Sequence, residues 1–375
     1  MFSFELSLEL VQQLHQLNNA FAKSYALLSN YSDDLKAAIH RYAKISIIGA
    51  STRIENAVLT DSEIDWLDTL LTKDGKPSAF LAKKALIENK LHKDKERSIE
   101  EVAGCRAMLE LIYDQSTSFV PLTETIIRGL HQELMRYYQK AGLCVGRYKN
   151  QSNSVVEINH QTGESHIIFE TTEAGPLTEV AMNDLISWYN KINLLEPRSI
   201  AIASELTYRF LAIHPFQDGN GRLGRGLFLL ALLQSQDKIV SEVVPYLAID
   251  RHIERKKSDY YYVLNRCSEG KYQRDPKNYH IEYFLQFIIK VLFHALEDIE
   301  VYKKRFNAYQ LLSESARKIL ACFKEYPEIR LSRQQLVKMT RLPMRTVTYS
   351  LVALSKKQFI QKYGQGAGVR YQLIF

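Results

Sequence analysis

The 375-residue sequence predicts a mainly α-helical protein, interrupted once by a β-hairpin and closed by a short mixed tail. Three observations predict it. Apolar residues recur every three to four positions through most of the chain, as one buried helix face requires. That spacing breaks between residues 153 and 171, where two β-branched runs flank a glycine. After about residue 311, three short helical patterns lead into two strand-like runs, the order of a winged helix-turn-helix.

The elements follow in chain order. Leu35, Ile39, Tyr42, Ile45 and Ile48 set one helix between Asp33 and Asn56, with Asn56 suited to a left-handed end. Thr60 and Glu63 have the spacing of a capping box and open the next. Helices are expected at 77–93 and 98–115, and from Pro121 to about Tyr138. Ser154-Val-Val-Glu-Ile-Asn and Ser165-His-Ile-Ile-Phe-Glu read as a hairpin around Gln161-Thr162-Gly163. Helices resume at about 177–191, 199–213, 219–236, 251–268 and 277–307. The 219–236 helix, nearly all apolar after Arg225, is expected at the buried centre. In the tail, Ala316–Tyr326, Arg333–Thr340 and Pro343–Lys357 read as helices. Phe359–Tyr363 and Val369–Leu373 read as strands.

Composition sets the class. Hydrophobic residues make up 46% and charged residues 24%, as in an ordinary globular protein. No apolar run reaches the roughly 18–20 residues of a membrane span, and no secretory leader pattern opens the chain. A cytoplasmic protein without membrane contact is the expectation. The four cysteines (Cys105, Cys144, Cys267, Cys322) are far apart, which fits reduced, mostly buried thiols and neither a disulfide framework nor a zinc finger. Residues 311–375 hold 12 Lys/Arg against 3 Asp/Glu, a net of +9. The remaining 310 residues hold 37 against 39, a net of −2. That asymmetry points to a basic module with an anionic partner, DNA being one candidate.

The chemistry concentrates in residues 214–225, His-Pro-Phe-Gln-Asp-Gly-Asn-Gly-Arg-Leu-Gly-Arg. Gly219, Asn220 and Gly221 form a flexible backbone turn leading into a helix N-terminus, a place where phosphate binds. Arg222 and Arg225, three apart, point the same way from that helix. Asp218 can hold a divalent cation, and His214 can take a proton near neutral pH. A glycine-rich turn with a satisfied core histidine explains any one of these residues but not the whole set. His214 and Asp218 lack the second histidine a metalloprotease helix needs.

This stretch resembles the signature of the Fic family, His-Pro-Phe-x-Asp/Glu-Gly-Asn-Gly-Arg-x-x-Arg, at every defined position. The resemblance implies a Fic-type helical bundle over roughly residues 30–300, with the 153–171 hairpin as the family's flap. It divides the chain into an N-terminal helical region (1–110), a catalytic domain (111–307) and a winged helix-turn-helix domain (311–375). It also implies transfer of AMP from ATP, with Mg²⁺, to a Tyr, Ser or Thr hydroxyl of a target protein and of the chain itself. In that role His214 is the base, and Asp218 holds Mg²⁺. Gly219, Asn220 and Gly221 receive the attacked phosphate, while Arg222 and Arg225 grip the β- and γ-phosphates. Tyr260 and Tyr261 resemble tyrosines placed near the adenine.

Residues 51–56, Ser-Thr-Arg-Ile-Glu-Asn, resemble the family's inhibitory pattern through Ser51, Glu55 and Asn56. The implied role of Glu55 is to pair with Arg225 and block the γ-phosphate. The flap is expected to hold a target segment by strand addition. In the tail, Arg341, Arg345, Thr346, Thr348 and Tyr349 would start a recognition helix. Lys356, Lys357, Lys362 and Arg370 would meet phosphates if the partner is DNA. Other group transfers, removal of AMP, and a DNA-binding regulator with a self-modifying domain remain the competing readings. A homodimer stays open.

Overall fold

The computed structural model describes residues 1–72, 96–138, 142, 144–158, 165–327 and 329–374. The helix expected at 77–93 and the hairpin tip at 161–163 lie outside them. The chain opens with a helix, α1 (Leu8–Ser29), that the sequence pattern did not suggest. Then come α2 (Asp33–Ile54), α3 (Asp61–Thr72), α4 (Glu96–Gln115) and α5 (Glu124–Met135). The α3 capping box is present: Glu63 Oε2 accepts from Thr60 N at 2.6 Å, and Thr60 Oγ1 accepts from Glu63 N at 3.4 Å. α5 starts three residues later than its proline suggested. Thr123 caps it by accepting from Ile126 N, and a threonine cap specifies a start more strongly than an upstream proline.

β1 (Ser154–Ile158) and β2 (Ser165–Glu170) pair antiparallel, with a register shift between Val155 and Val156. α6 (Pro176–Leu195), α7 (Ser199–Ile213) and α8 (Asn220–Leu233) follow. α7 is buried at every residue but Leu211, and α8 at all but Gly221 and Leu233. Two helices therefore share the centre expected of one. After α9 (Lys238–Val243), the helix expected over 251–268 is two: α10 (Ile249–Arg255) and α11 (Lys257–Arg266), broken at Lys256. Nothing in the sequence marks that break. α12 (Ile281–Gln310), at 30 residues, is the longest helix among the described residues.

One hydrophobic core runs from Leu10 to Tyr302, so residues 1–110 and 111–307 pack around a shared interior. The tail has its own core, from Leu312 to Ile360. It is built from α13 (Glu314–Glu325), α14 (Arg333–Thr340), α15 (Met344–Lys356) and the antiparallel pair β3 (Ile360–Tyr363) and β4 (Arg370–Leu373). Arg305 donates to Ile374 O at 2.7 Å, and Lys324 pairs with Asp65 at 3.6 Å, tying tail to body. All four cysteines are free, but Cys144 is exposed and Cys322 half-buried, so only Cys105 and Cys267 fit the buried expectation. Among the described residues, no helix is long and apolar enough to cross a membrane.

Candidate active site

The α7–α8 junction builds the site. His214 ends α7 in a left-handed conformation (φ 53°), which turns the chain sharply out of the helix. Its Nδ1 lies 3.2 Å from Leu211 O and so carries the proton, leaving Nε2 with a free lone pair. Enclosure is the main reason its pKa is pushed down to about 4, with the charge of Lys149 acting the same way. His214 is neutral at pH 7, the state a base needs.

The loop after it is fixed by bonds the sequence did not reveal. Asn220 accepts from Phe216 N at 2.9 Å and donates to Phe216 O at 2.7 Å, with both ends of its amide engaged. Its amide holds the loop closed, and the residue lines the cavity. Phe216 stacks on His131 at 3.8 Å between centroids. His131 accepts from Gly146 N through Nδ1 and donates from Nε2 to Asp218 O, each at 3.0 Å. Burial pushes its pKa down to about 4, so it serves as a neutral strut. Lys149 is buried without a carboxylate among the described residues and is pushed down to about 8 by that burial. Its ammonium donates to Ile213 O (3.1 Å), Asn153 Oδ1 (2.9 Å) and Thr171 Oγ1 (2.9 Å). Asn153 and Thr171 flank the hairpin, so one lysine joins both flap roots to the peptide before His214.

Two glycines leave space in the turn. Gly219 caps α8 at φ 81°, a conformation that disfavours a side chain. A Cβ on Gly221 would stand 2.2 Å from Glu55 Oε1. The first N–H groups of α8 open into a cavity of about 240 Å³. His214, Asp218, Gly219, Gly221, Arg222, Arg225, Tyr261 and Glu55 line it, with Asn153 and Phe169 from the flap side. Arg222 is buried and its Nε has no hydrogen-bond partner among the described residues. A buried cation with an unused donor, beside a helix N-terminus, suits an anion.

Asp218 is 45% exposed by its side chain, with Oδ1 accepting from Gly219 N at 2.6 Å and lying 3.4 Å from Arg222 Nη2. Arg97, which the sequence did not single out, approaches Oδ2 at 3.8 Å and donates to Glu101 at 2.9 Å. No cluster of three metal-binding side chains exists among the described residues. A single accessible carboxylate fits Mg²⁺ that is carried mainly by phosphate and water, not by a protein cage.

Arg225 is filled. It donates to Ser51 Oγ at 3.0 Å, Ser51 O at 2.8 Å and Glu55 Oε1 at 2.9 Å, with Asp250 Oδ2 at 3.4 Å. Burial works against its charge, but Glu55 leads the groups that more than offset this, so its pKa is raised. Asp250, buried on α10, was not foreseen, and no pattern around it flags it. The two tyrosines are buried to different depths. Tyr260 is a core residue, 2% exposed, packed near Phe284 and Phe287 with its hydroxyl end toward Arg225. Tyr260 and Tyr261 both line the cavity, edge-on to each other.

Residues 121–232 match the family model described as Fic/DOC family. The chain carries a Fic/DOC-family domain. Similar proteins agree. A Fido domain-containing protein of Dictyostelium discoideum is 44% identical over 66 residues, 17% of this chain and 44% of that protein, so the match spans under half of the relative. A Fic family protein from Desulfovibrio desulfuricans shares the fold over 100% of this chain and 98% of its own (TM-score 0.55, 21% identity). A Fic domain-containing signaling protein from Bacteroides thetaiotaomicron does so over 78% and 97% (TM-score 0.57, 24% identity). Fic-1 from C. elegans (residues 134–508) does so over 80% and 73% (TM-score 0.54, 16% identity). The last three establish shared architecture. The Fic domain holds the whole base-to-arginine stretch, His214 to Arg225.

Proposed function

We propose that this chain is a protein adenylyltransferase held in check by Glu55. One observation carries the reading: a neutral His214 with a free Nε2 shares a cavity with the α8 N-terminus and two buried arginines. The cavity chemistry suits a polyphosphate at one end and an acceptor hydroxyl at the other.

In the reaction, the acceptor oxygen attacks the α-phosphorus of ATP and gives its proton to His214 Nε2. The bond from that phosphorus to the bridging oxygen breaks, and pyrophosphate leaves. The α8 N–H groups and Arg222 stabilise charge on the phosphates, and the Nδ1–H bond to Leu211 O keeps the ring's orientation. Mg²⁺, when bound with ATP at Asp218, neutralises phosphate charge. Arg225 is the partner for the terminal phosphate once Glu55 leaves it.

Mass spectrometry of the full chain after incubation with ATP and Mg²⁺ tests this. One added AMP unit, larger in Glu55→Gly and absent in His214→Ala, supports the chemistry. No addition in any sample, with or without supplied protein acceptors, rejects it.

A second activity has its own observation. On α15, Arg345, Tyr349, Val352 and Lys356 are all exposed and spaced to share one helix face, with Arg341 exposed just before it. A basic face with an aromatic suits a DNA groove, as a winged helix would present it. The reading predicts that full-length protein shifts a duplex at low salt, loses it as salt rises, and loses it in Arg345→Glu. No shift at low salt rejects it.

A further inference from the structure

Glu55 does not hold itself on Arg225. It follows the last residue of α2, at a point where the chain reverses through Asn56 (φ 71°). The residue two before it, Arg53, turns the other way and grips a separate set of oxygens. Its Nε and Nη2 donate to Glu254 Oε1 and Oε2 at 2.6 and 2.9 Å, a two-pronged fork. Its Nη1 donates to Asp61 Oδ1 at 2.7 Å and Leu59 O at 3.1 Å. Lys257 adds a bond to Asn56 Oδ1 at 2.9 Å. Gly49 leaves the space this needs, since a Cβ there would stand 2.3 Å from Asp61 Oδ1 and 2.6 Å from Arg53 Nη1.

Helix α10 organises both grips. Asp250 and Glu254 are four apart, so they share a face. Asp250 faces Arg225, and Glu254 takes Arg53. The two arginines differ in consequence. Asp250 reaches Arg225 directly, at 3.4 Å, without passing through Glu55. Among the described residues, the Arg53 fork bonds to none that line the cavity; it ties the end of α2 to α10 and to the start of α3.

We infer that Arg53, held by Glu254 and Asp61, is the positioning residue that keeps Glu55 on Arg225, so that this outer clamp sets the strength of the inhibition. The inference rests on the inhibitory reading of Glu55 and deepens it. Loss of the clamp frees the last turn of α2, Ser51 included, while Asp250 on α10 continues to orient Arg225. The cavity then admits the terminal phosphate more readily.

The test is equilibrium binding of Mg-ATP and of Mg-ADP to the full chain, in wild type, Arg53→Met, Glu254→Gln, Glu55→Gly and the double variant Arg53→Met/Glu55→Gly. We expect Arg53→Met and Glu254→Gln each to tighten ATP binding on the order of fivefold, as for a partly exposed ion pair. ADP, lacking the γ-phosphate, changes little. The double variant matches Glu55→Gly alone, because the clamp has nothing left to position. Tighter ATP binding in Glu55→Gly with none in the clamp variants overturns the inference while leaving the inhibitory glutamate standing. An equal gain from Arg53→Met with and without Glu55 also overturns it. No tightening even in Glu55→Gly removes the inhibitory reading itself, and the clamp with it. Weaker binding together with a lowered melting temperature in Arg53→Met and Glu254→Gln assigns the fork to folding alone, which overturns it as well.

Discussion

The two ends of the cavity are prepared in opposite ways. At the His214 end, the Asn220 amide, an uncharged His131 and the Lys149 ammonium hold the loop and the peptide before the base, and none of them bonds to Nε2. Nε2 is left with nothing bonded to it that the chain must first release. At the Arg225 end, a buried cation is surrounded by oxygens from Ser51, Glu55 and Asp250. The base is ready and the phosphate site is full. A site built this way can be regulated by clearing one end without disturbing the chemistry at the other.

The contrast can be broken at either end. Removing the ready end has the largest expected effect: His214→Ala should lower AMP transfer roughly 10²–10⁴-fold, the range for losing a general base, while ATP binding persists. Equal loss of ATP binding would mean that His214 serves the phosphates. Clearing the full end comes next. Glu55→Gly removes a charge-assisted bond of about 1.5–3 kcal/mol, so ATP affinity and transfer should rise about 10- to 100-fold. Transfer assays beside nucleotide titrations check both. Lys149→Met, which keeps length but removes the three bonds to Ile213 O, Asn153 and Thr171, should cost about 1–3 kcal/mol in urea unfolding and reduce transfer. Unchanged stability would show that water or the flap replaces its bonds.

The smallest effect concerns pH. Because His214 sits at about 4, below its usual value, it remains unprotonated through most of the acid range. Transfer should hold steady down to about pH 5 and fall as pH drops through about 4, the reverse limb being absent for this group. A midpoint near 6.5 in the pH–rate profile would show that the ring is as solvated as a free histidine.

Much of this was legible in the sequence. The 214–225 residues lie on a loop and one helix turn, so linear spacing translates directly into a shared cavity. Glu55 was legible because a short pattern names it, and the structure brings it to Arg225. Lys149, His131, Arg97 and Asp250 were not, because each acts through a contact made in three dimensions with no periodic or local sign. The Lys256 break between α10 and α11 escaped for the same reason. The tyrosine run was legible as cavity lining, but not the deeper burial of its first ring, which packs against the core while still reaching the cavity wall. Asn220 stands at the cavity as its place in the stretch suggests, but its two bonds to Phe216, which shape the loop, had no sign in the sequence.

The left-handed backbone at His214 has a consequence for anyone redesigning this protein. A residue there must tolerate φ 53°, where asparagine and glycine are comfortable and histidine less so. Selection for heat resistance alone would therefore favour His214→Asn or His214→Gly, and a library screened only for melting temperature would drift toward catalytically dead winners.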